Sequence, residues 1–313
     1  MTNYFVFNGD ADGICAAHQL YLKNLQEFEA ITGVKRDIAL LRKIEWVSDS
    51  SINVLDISVE KNLPYLERLL EQNCRITWFD HHISNEKPEH VNIAYYVQTE
   101  VDVNTSLIVS RYLGEPISQW VIVGLFGDNM GETAVLTAKK LGLNGSQIQD
   151  LKKMGELLNY NAYGATIKDL HFHPAEILKQ MKPYAEPLIF MQDEDLISVL
   201  EEGYKADFQM IDHVEWLASN IVCLPDEKWA RRVVGDYAYQ LVRDEPEKDF
   251  AVLLTKGENY QVSIRTSIKS NKNAGEFCLQ FPTGGGRLKA AGINALPQKN
   301  LDTFIEQFIE YFC

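Results

Sequence analysis

Four short apolar segments of this chain each run straight into an aspartate, and that repetition narrows the folds open to it. Tyr4-Phe5-Val6-Phe7 leads into Asn8-Gly9-Asp10-Ala11-Asp12-Gly13, and Ile52-Asn53-Val54-Leu55 into Asp56. Cys74-Arg75-Ile76-Thr77-Trp78 leads into Phe79-Asp80-His81-His82, and Val121-Ile122-Val123-Gly124-Leu125-Phe126 into Gly127-Asp128-Asn129. Apolar runs of this length, rich in β-branched residues, predict buried strands. Ligands of open α/β sheets bind at the carboxyl ends of the strands. A single acid at such an end is usually a helix N-cap. Four of them converging would crowd like charges, which is costly unless a cation neutralises them. With an imidazole pair added, the donor set suits hard or borderline divalent ions.

Between these segments the pattern turns helical. Ile14, Ala17, Leu20, Tyr21 and Leu25 predict a helix from about Gly13 to Leu25, which puts Asp10 and Asp12 at its start. There the helix dipole favours both carboxylates and phosphate. A further strand is expected near Ile44–Val47, a helix over Glu60–Gln72, a strand over Val91–Val97, and a helix capped by Asn104-Thr105-Ser106. Such alternation argues for a mostly parallel sheet sandwiched by helices, an α/β domain over residues 1–190. The segment from Gly131 to Lys182 is mostly helical in pattern. Within it, Asp169-Leu170-His171-Phe172-His173 could bind metal, but the spacing suits an ordinary loop before Pro174 and that reading is preferred. Residues 191–213 read as a linker that includes an acidic helix. Residues 214–313 read as a smaller α/β domain, with strands at Asn220–Leu224, Phe250–Thr255 and Tyr260–Thr266. Its helices are expected at Trp229–Arg243, Ala274–Phe281 and Leu301–Phe312.

Length and composition bound the function. The 313 residues suffice for two domains, and 46% apolar with 24% charged residues is a globular balance. No apolar run approaches the ~20 residues needed to span a bilayer, so no membrane association is expected. The amino terminus lacks a basic n-region, so a cleaved signal peptide is not expected. Cys15, Cys74, Cys223, Cys278 and Cys313 are scattered and odd in number, as free thiols in a reducing cytoplasm would be. The formal net charge of −14 disfavours a protein that tracks long nucleic acid, which needs a broad basic surface. Small anionic substrates held by a few local cations fit better. Such cations cluster near the carboxyl end: Lys256, Arg265, Lys269, Lys272, Arg287, Lys289 and Lys299 face only Glu258 and Glu276. Among them lies Gly284-Gly285-Gly286, whose backbone N–H groups could form an anion nest or simply a tight turn.

Taken together, Asp10-Ala11-Asp12, Asp56, Asp80-His81-His82 and Asp128 resemble the four successive motifs of the DHH family of phosphoesterases. Gly284-Gly285-Gly286-Arg287-Leu288-Lys289-Ala290-Ala291-Gly292 resembles the glycine-rich signature of the DHH-associated substrate domain. The resemblance spans nearly the whole chain. It implies a hydrolase that cleaves phosphoester bonds of short oligonucleotides, dinucleotides or 3′,5′-bisphosphate nucleotides with a metal-activated water. It implies Mn²⁺, with Mg²⁺ possible, and two ions ~4 Å apart, as two-metal phosphoesterases hold them. Carried over by position, Asp12, Asp56, His81 and Asp128 hold one ion, Asp10 the other, and Asp56 bridges them. Catalysis centres on Asp80, His81 and His82, with His82 behind the metals. Arg265, Gly284, Gly285, Gly286 and Arg287 bind substrate, which is expected to bridge a cleft between the domains. Two departures stand out. Relatives often carry a metal-binding His four residues before the first Asp, where this chain has Val6. Arg287 stands where the family usually has His, and an arginine clamps phosphate without shuttling protons near neutral pH. A RecJ-type single-strand exonuclease, a pyrophosphatase and a non-catalytic binding module are the alternatives. A homodimer is left open.

Overall fold

Five strands, β1 (Asn3–Phe7), β2 (Glu29–Ile31), β3 (Ser51–Leu55), β4 (Arg75–Asp80) and β5 (Ile93–Val97), form an all-parallel sheet in the order β2-β1-β3-β4-β5. The structure is a computed structural model and describes residues 2–84, 86–114 and 116–312. Cys313 lies outside the described residues, and the other four cysteines are free thiols. Alternation along the strands sorts their side chains. Tyr4, Val6, Ile52, Val54, Ile76 and Trp78 point into one core with Leu66, Leu69 and Leu70. Those leucines lie on α2 (Leu63–Glu71), whose apolar residues recur at helical spacing. Helix α1 (Ala11–Asn24) follows β1 directly, as the Gly13–Leu25 periodicity predicts.

The other helices of this part are α3 (Thr105–Leu113), α4 (Gln119–Gly127), α5 (Gly131–Lys140), α6 (Gly145–Ala162), α7 (Pro174–Met181), α8 (Pro187–Asp193) and α9 (Leu196–Gln209). Two sequence expectations are corrected. Val121–Phe126 is no strand but the middle of α4, whose residues from Trp120 to Gly127 are all buried. A helix apolar on every side shows no 3.6-residue period, so a short one reads like a buried strand. It fits by close approach. A Cβ at Gly127 would stand 2.4 Å from Ala11 Cβ, and one at Gly124 would stand 2.4 Å from Ser106 Oγ. The strand expected at Ile44–Val47 is also absent. Leu40–Lys43 forms a 3₁₀ turn, and the carbonyl of Ile44 accepts from Arg68 Nη2 at 2.7 Å instead of from a neighbouring strand. The sheet position beside β1 is taken by β2.

The chain divides into two compact units, residues 1–203 and 204–313, with α9 running across the division. The second unit carries β6 (Glu215–Ala218), β7 (Ile221–Leu224), β8 (Phe250–Lys256), β9 (Asn259–Arg265), β10 (Gly284–Gly286) and β11 (Ala290–Pro297). They form one sheet in the order β10-β11-β9-β8-β7-β6, antiparallel except between β7 and β8. Helices α10 (Lys228–Asp244), α11 (Ala274–Cys278) and α12 (Leu301–Phe312) accompany it. Phe277, Phe304 and Phe308 close a core over Leu253, Val262, Ile264 and Ile293. Strands β6, β10 and β11 have no counterpart in the sequence reading. No described helix is long and apolar enough to cross a membrane.

Candidate metal centre

Strand register assembles this site. Phe7 pairs with Leu55 and Leu55 with Phe79, so three strands end in one row. The ladder continues one step further, with Asn8 N–H on the Leu55 carbonyl (3.2 Å) and Asp56 N–H on the Phe79 carbonyl (3.0 Å). The residues that follow, Asn8 to Asp12, Asp56, and Asp80 to His82, therefore leave the sheet side by side. Asp56 does so with φ of 59°, a left-handed conformation that costs a non-glycine residue energy and collects at functional sites. Asp128 arrives by another route, as the residue that ends α4.

Ligand atoms of Asp12, Asp56, His81 and Asp128 all lie within 4.8 Å of one another. Each is held by its surroundings. Asp12 Oδ1 accepts from Asn104 Nδ2 (2.7 Å) and Ser106 N–H (2.8 Å), and its Oδ2 from Thr105 N–H (2.8 Å). The amino end of α3 thus grips this carboxylate with its unpaired N–H groups. Thr105 Oγ1 donates to Asp56 Oδ1 at 3.0 Å. His81 Nδ1 donates to the Val103 carbonyl at 3.1 Å, because a carbonyl can only accept. In neutral His81, Nε2 is then the ring nitrogen with a lone pair. It faces Asp56 Oδ1 at 3.4 Å and Asp128 Oδ2 at 3.6 Å.

The charge balance calls for a cation. Burial, reinforced by the charge of Asp56, pushes the Asp12 carboxyl up to about 7. Burial and Asp10 do the same to Asp56, and burial and Asp12 to Asp128. Burial works against charge on His81, but its contacts with Asp56 win and raise it to about 10. Asp128 Oδ2 is buried without a hydrogen-bond donor. Three carboxylates, one oriented imidazole and an unpaired buried oxygen fit a divalent ion such as Mn²⁺.

Asp10 and Asp80 stand outside this cluster. Asp10 caps α1, its Oδ1 accepting from Gly13 N–H at 3.1 Å, and its Oδ2 is 2.6 Å from Lys35 Nζ. Burial alone would raise the Asp10 carboxyl, but Lys35 overcomes it and holds it below the usual range. Lys35 also reaches Asn159 Oδ1 at 2.8 Å and Asp128 Oδ1 at 3.5 Å. Asp80 Oδ1 accepts from His82 Nδ1 at 2.7 Å and from His81 N–H at 2.9 Å. Burial lowers the His82 pKa, but its hydrogen bond to Asp80 and the charge of Asp56 lift it to about 9. Its ring is half exposed beside the cluster. Lys35 escaped the sequence reading, since it belongs to no motif, and Asn159 stood out only as part of the Asn-rich run at residues 158–164, with no chemistry assigned to it. Asn104-Thr105-Ser106 was legible as a helix cap, but its grip on Asp12, more than ninety residues away, was not.

In the second unit, Arg265 ends β9. Its guanidinium lies over the Tyr239 ring (4.5 Å to the centroid), and Nη1 donates to the Ile264 carbonyl. Gly284, Gly285 and Gly286 form the edge strand β10, and Arg287 is exposed beyond it. Part of the basic cluster is already engaged. Lys289 donates to the carbonyls of Ser267 and Ser270, and Lys269 pairs with Glu247. Asp169, His171 and His173 are each directed to different partners. Asp169 accepts from Ala165 N–H, His171 meets the Tyr160 hydroxyl, and His173 caps α7.

No protein-family model and no curated relative matches the chain. Solved structures do. Exonuclease RecJ bound to manganese superposes with a TM-score of 0.59 at 14% identity, over 99% of this chain and 89% of that one. The pGpG-specific phosphodiesterase PggH from Vibrio cholerae gives 0.55 at 16% identity, over 99% and 98%. RecJ from Thermus thermophilus in complex with Mn²⁺ gives 0.55 at 14% identity, but this chain spans only 52% of it. Over nearly its whole length this chain shares the fold of these RecJ and PggH structures.

Proposed function

We propose that the chain is a Mn²⁺-dependent phosphoesterase of small nucleotides: short oligonucleotides, dinucleotides or 3′,5′-bisphosphate nucleotides. The observation that carries this is the convergence of Asp12, Asp56, His81 and Asp128, from four separate places in the chain, on one point. A divalent ion held there supplies an acidified water and neutralises charge on the phosphoryl oxygens. The chain's own residues do the rest. Asn104, Thr105 and Ser106 hold Asp12, and Val103 orients His81. Asp80 orients His82, whose second ring nitrogen, in the protonated ring, offers an N–H to a phosphoryl or leaving oxygen. In this reading Arg265, Gly284, Gly285, Gly286 and Arg287 bind the rest of the substrate. Support comes from the acidic balance of the protein, which disfavours long nucleic acid, and from the likeness to a pGpG-specific phosphodiesterase over both full lengths.

The test is a hydrolysis screen with Mn²⁺, comparing dinucleotides, longer RNA, single-stranded DNA, cyclic dinucleotides and adenosine 3′,5′-bisphosphate. Preference for the small substrates is expected. Processive degradation of long single strands would favour a RecJ-type exonuclease instead. Binding of nucleotides without turnover would favour a non-catalytic module. Full activity in both Asp80→Ala and His81→Ala would refute the site.

A further inference from the structure

We propose that the ammonium of Lys35 takes the place of a second divalent ion, so that the centre holds one Mn²⁺, on Asp12, Asp56, His81 and Asp128. This rests on the metal-centre reading above and changes its ion count from the expected two. Two sets of donor atoms converge within 4.8 Å, Asp12 with Asp56, His81 and Asp128, and Asp56 with His81 and His82; neither includes Asp10, on which a second ion would depend. Both Asp10 oxygens are already engaged, one by Gly13 N–H and one by Lys35 Nζ at 2.6 Å. The same Nζ has Asn159 Oδ1 at 2.8 Å and Asp128 Oδ1 at 3.5 Å, so three oxygens surround a group with three N–H bonds. A divalent ion entering among these oxygens would meet that ammonium at like-charge contact.

Lys35 is a built part of the site rather than a stray surface lysine. Its side chain is 24% exposed, and its backbone N–H donates to the Ala162 carbonyl at 2.9 Å. The loop that bears it is wedged against the loop that bears Asp10: a Cβ on Gly9 would stand 1.9 Å from the Gly33 carbonyl oxygen. Among the described residues the other group that could hold an ion, Asp56, His81 and His82, shares two of its three ligands with the first. Val6, at the position where a histidine would complete a second site, is fully buried in the apolar core. Asn8, whose buried Oδ1 lacks a donor, offers only a neutral oxygen. Asp10 and Lys35 thus form a fixed pair at the edge of the cluster.

The experiment is Mn²⁺ counting on the full chain, by equilibrium dialysis with elemental analysis and by electron paramagnetic resonance. The expected result is one ion per chain at saturation, with the six-line spectrum of an isolated Mn²⁺. Lys35→Met is expected to bind two ions and show the broadened spectrum of an exchange-coupled pair, whereas Lys35→Arg, which keeps the charge, stays at one. Two ions in the parent protein would overturn the inference and leave the phosphoesterase reading standing. One ion in Lys35→Met would overturn the role of Lys35 in excluding the second. No ion in the parent would sink the metal centre and this inference with it. Thermal melting of each variant separates lost binding from lost folding.

Discussion

At the scale of single residues the site is a balance of charges, and its proton content follows from burial. The carboxyls of Asp12, Asp56 and Asp128 sit near 7 against an ordinary 3.8. Between those values the folded chain keeps protons that the unfolded chain has released. Without metal, these three groups therefore make the protein less stable as pH rises from about 4 to about 7. His81 acts in the other sense: raised to about 10, it stabilises fully below 6.5, and that contribution is lost as pH climbs toward 10. A metal ion must displace protons from all four groups. Mn²⁺ affinity should accordingly rise with pH, and the gain in melting temperature on adding Mn²⁺ should be larger near pH ~8 than near pH ~6. Calorimetric titration at the two pH values checks this, and a flat profile would place the metal elsewhere. Replacing His81 by Ala removes the nitrogen that Val103 aims at the cluster. That variant should fail to bind Mn²⁺ at concentrations that saturate the parent, while its circular dichroism stays native. How much of this was legible depended on the motif. Asp12, Asp56, His81 and Asp128 could be read because acids ending apolar runs stand out. Lys35 could not, because a lone lysine in Gly33-Val34-Lys35-Arg36-Asp37 gives no periodic or motif signal.

Among elements, α3 and α4 carry the weight, and the sequence made one plain and disguised the other. Helix α3 announces itself through Asn104, whose Oδ1 accepts from Leu107 N–H while its Nδ2 donates to Asp12. Asn104→Ala removes the cap and a hold on Asp12 at once. It should cost about 1 kcal/mol of stability in urea unfolding. It should also weaken Mn²⁺ binding by about 10–100-fold, as loss of an outer support for a metal ligand does. An unchanged metal affinity would show that Asp12 needs no such support. Helix α4 hid because its own residues from Trp120 to Gly127 are apolar and buried on every side. Its glycines are close helix contacts in space. A Cβ on Gly124 would also stand 3.0 Å from Asp12 Oδ1. Gly124→Ala should therefore destabilise by about 1–3 kcal/mol, the usual range for overpacking, and weaken Mn²⁺ binding in the same variant. Gly131→Ala, where nothing lies within 4 Å, should leave both unchanged. The same masking explains β10. Three successive glycines have no side-chain alternation, so only pairing with β11 marks them as a strand.

The whole molecule has few cations to spare, and that makes their placement informative. With a net charge of −14, an anionic substrate needs specific positive groups rather than a general field. In the second unit Lys269 and Lys289 are occupied within the fold, and Lys272 lies over the Tyr311 ring. Arg265 Nε is buried without an acceptor, and Arg287 is exposed. The Arg265 guanidinium is held against Tyr239, a placement that costs little entropy on binding an anion. If Arg265 binds the distal phosphate or base of the substrate, that contact is made equally in the ground and transition states. Its loss should then appear in KM and spare kcat. Arg265→Ala is expected to raise KM for a dinucleotide by about 10–100-fold, the equivalent of one charged hydrogen bond. The Mn²⁺ count and melting temperature should stay close to the parent's. A large fall in kcat at unchanged KM would mean that the second unit acts on the chemical step itself, and would reassign Arg265 from binding to catalysis.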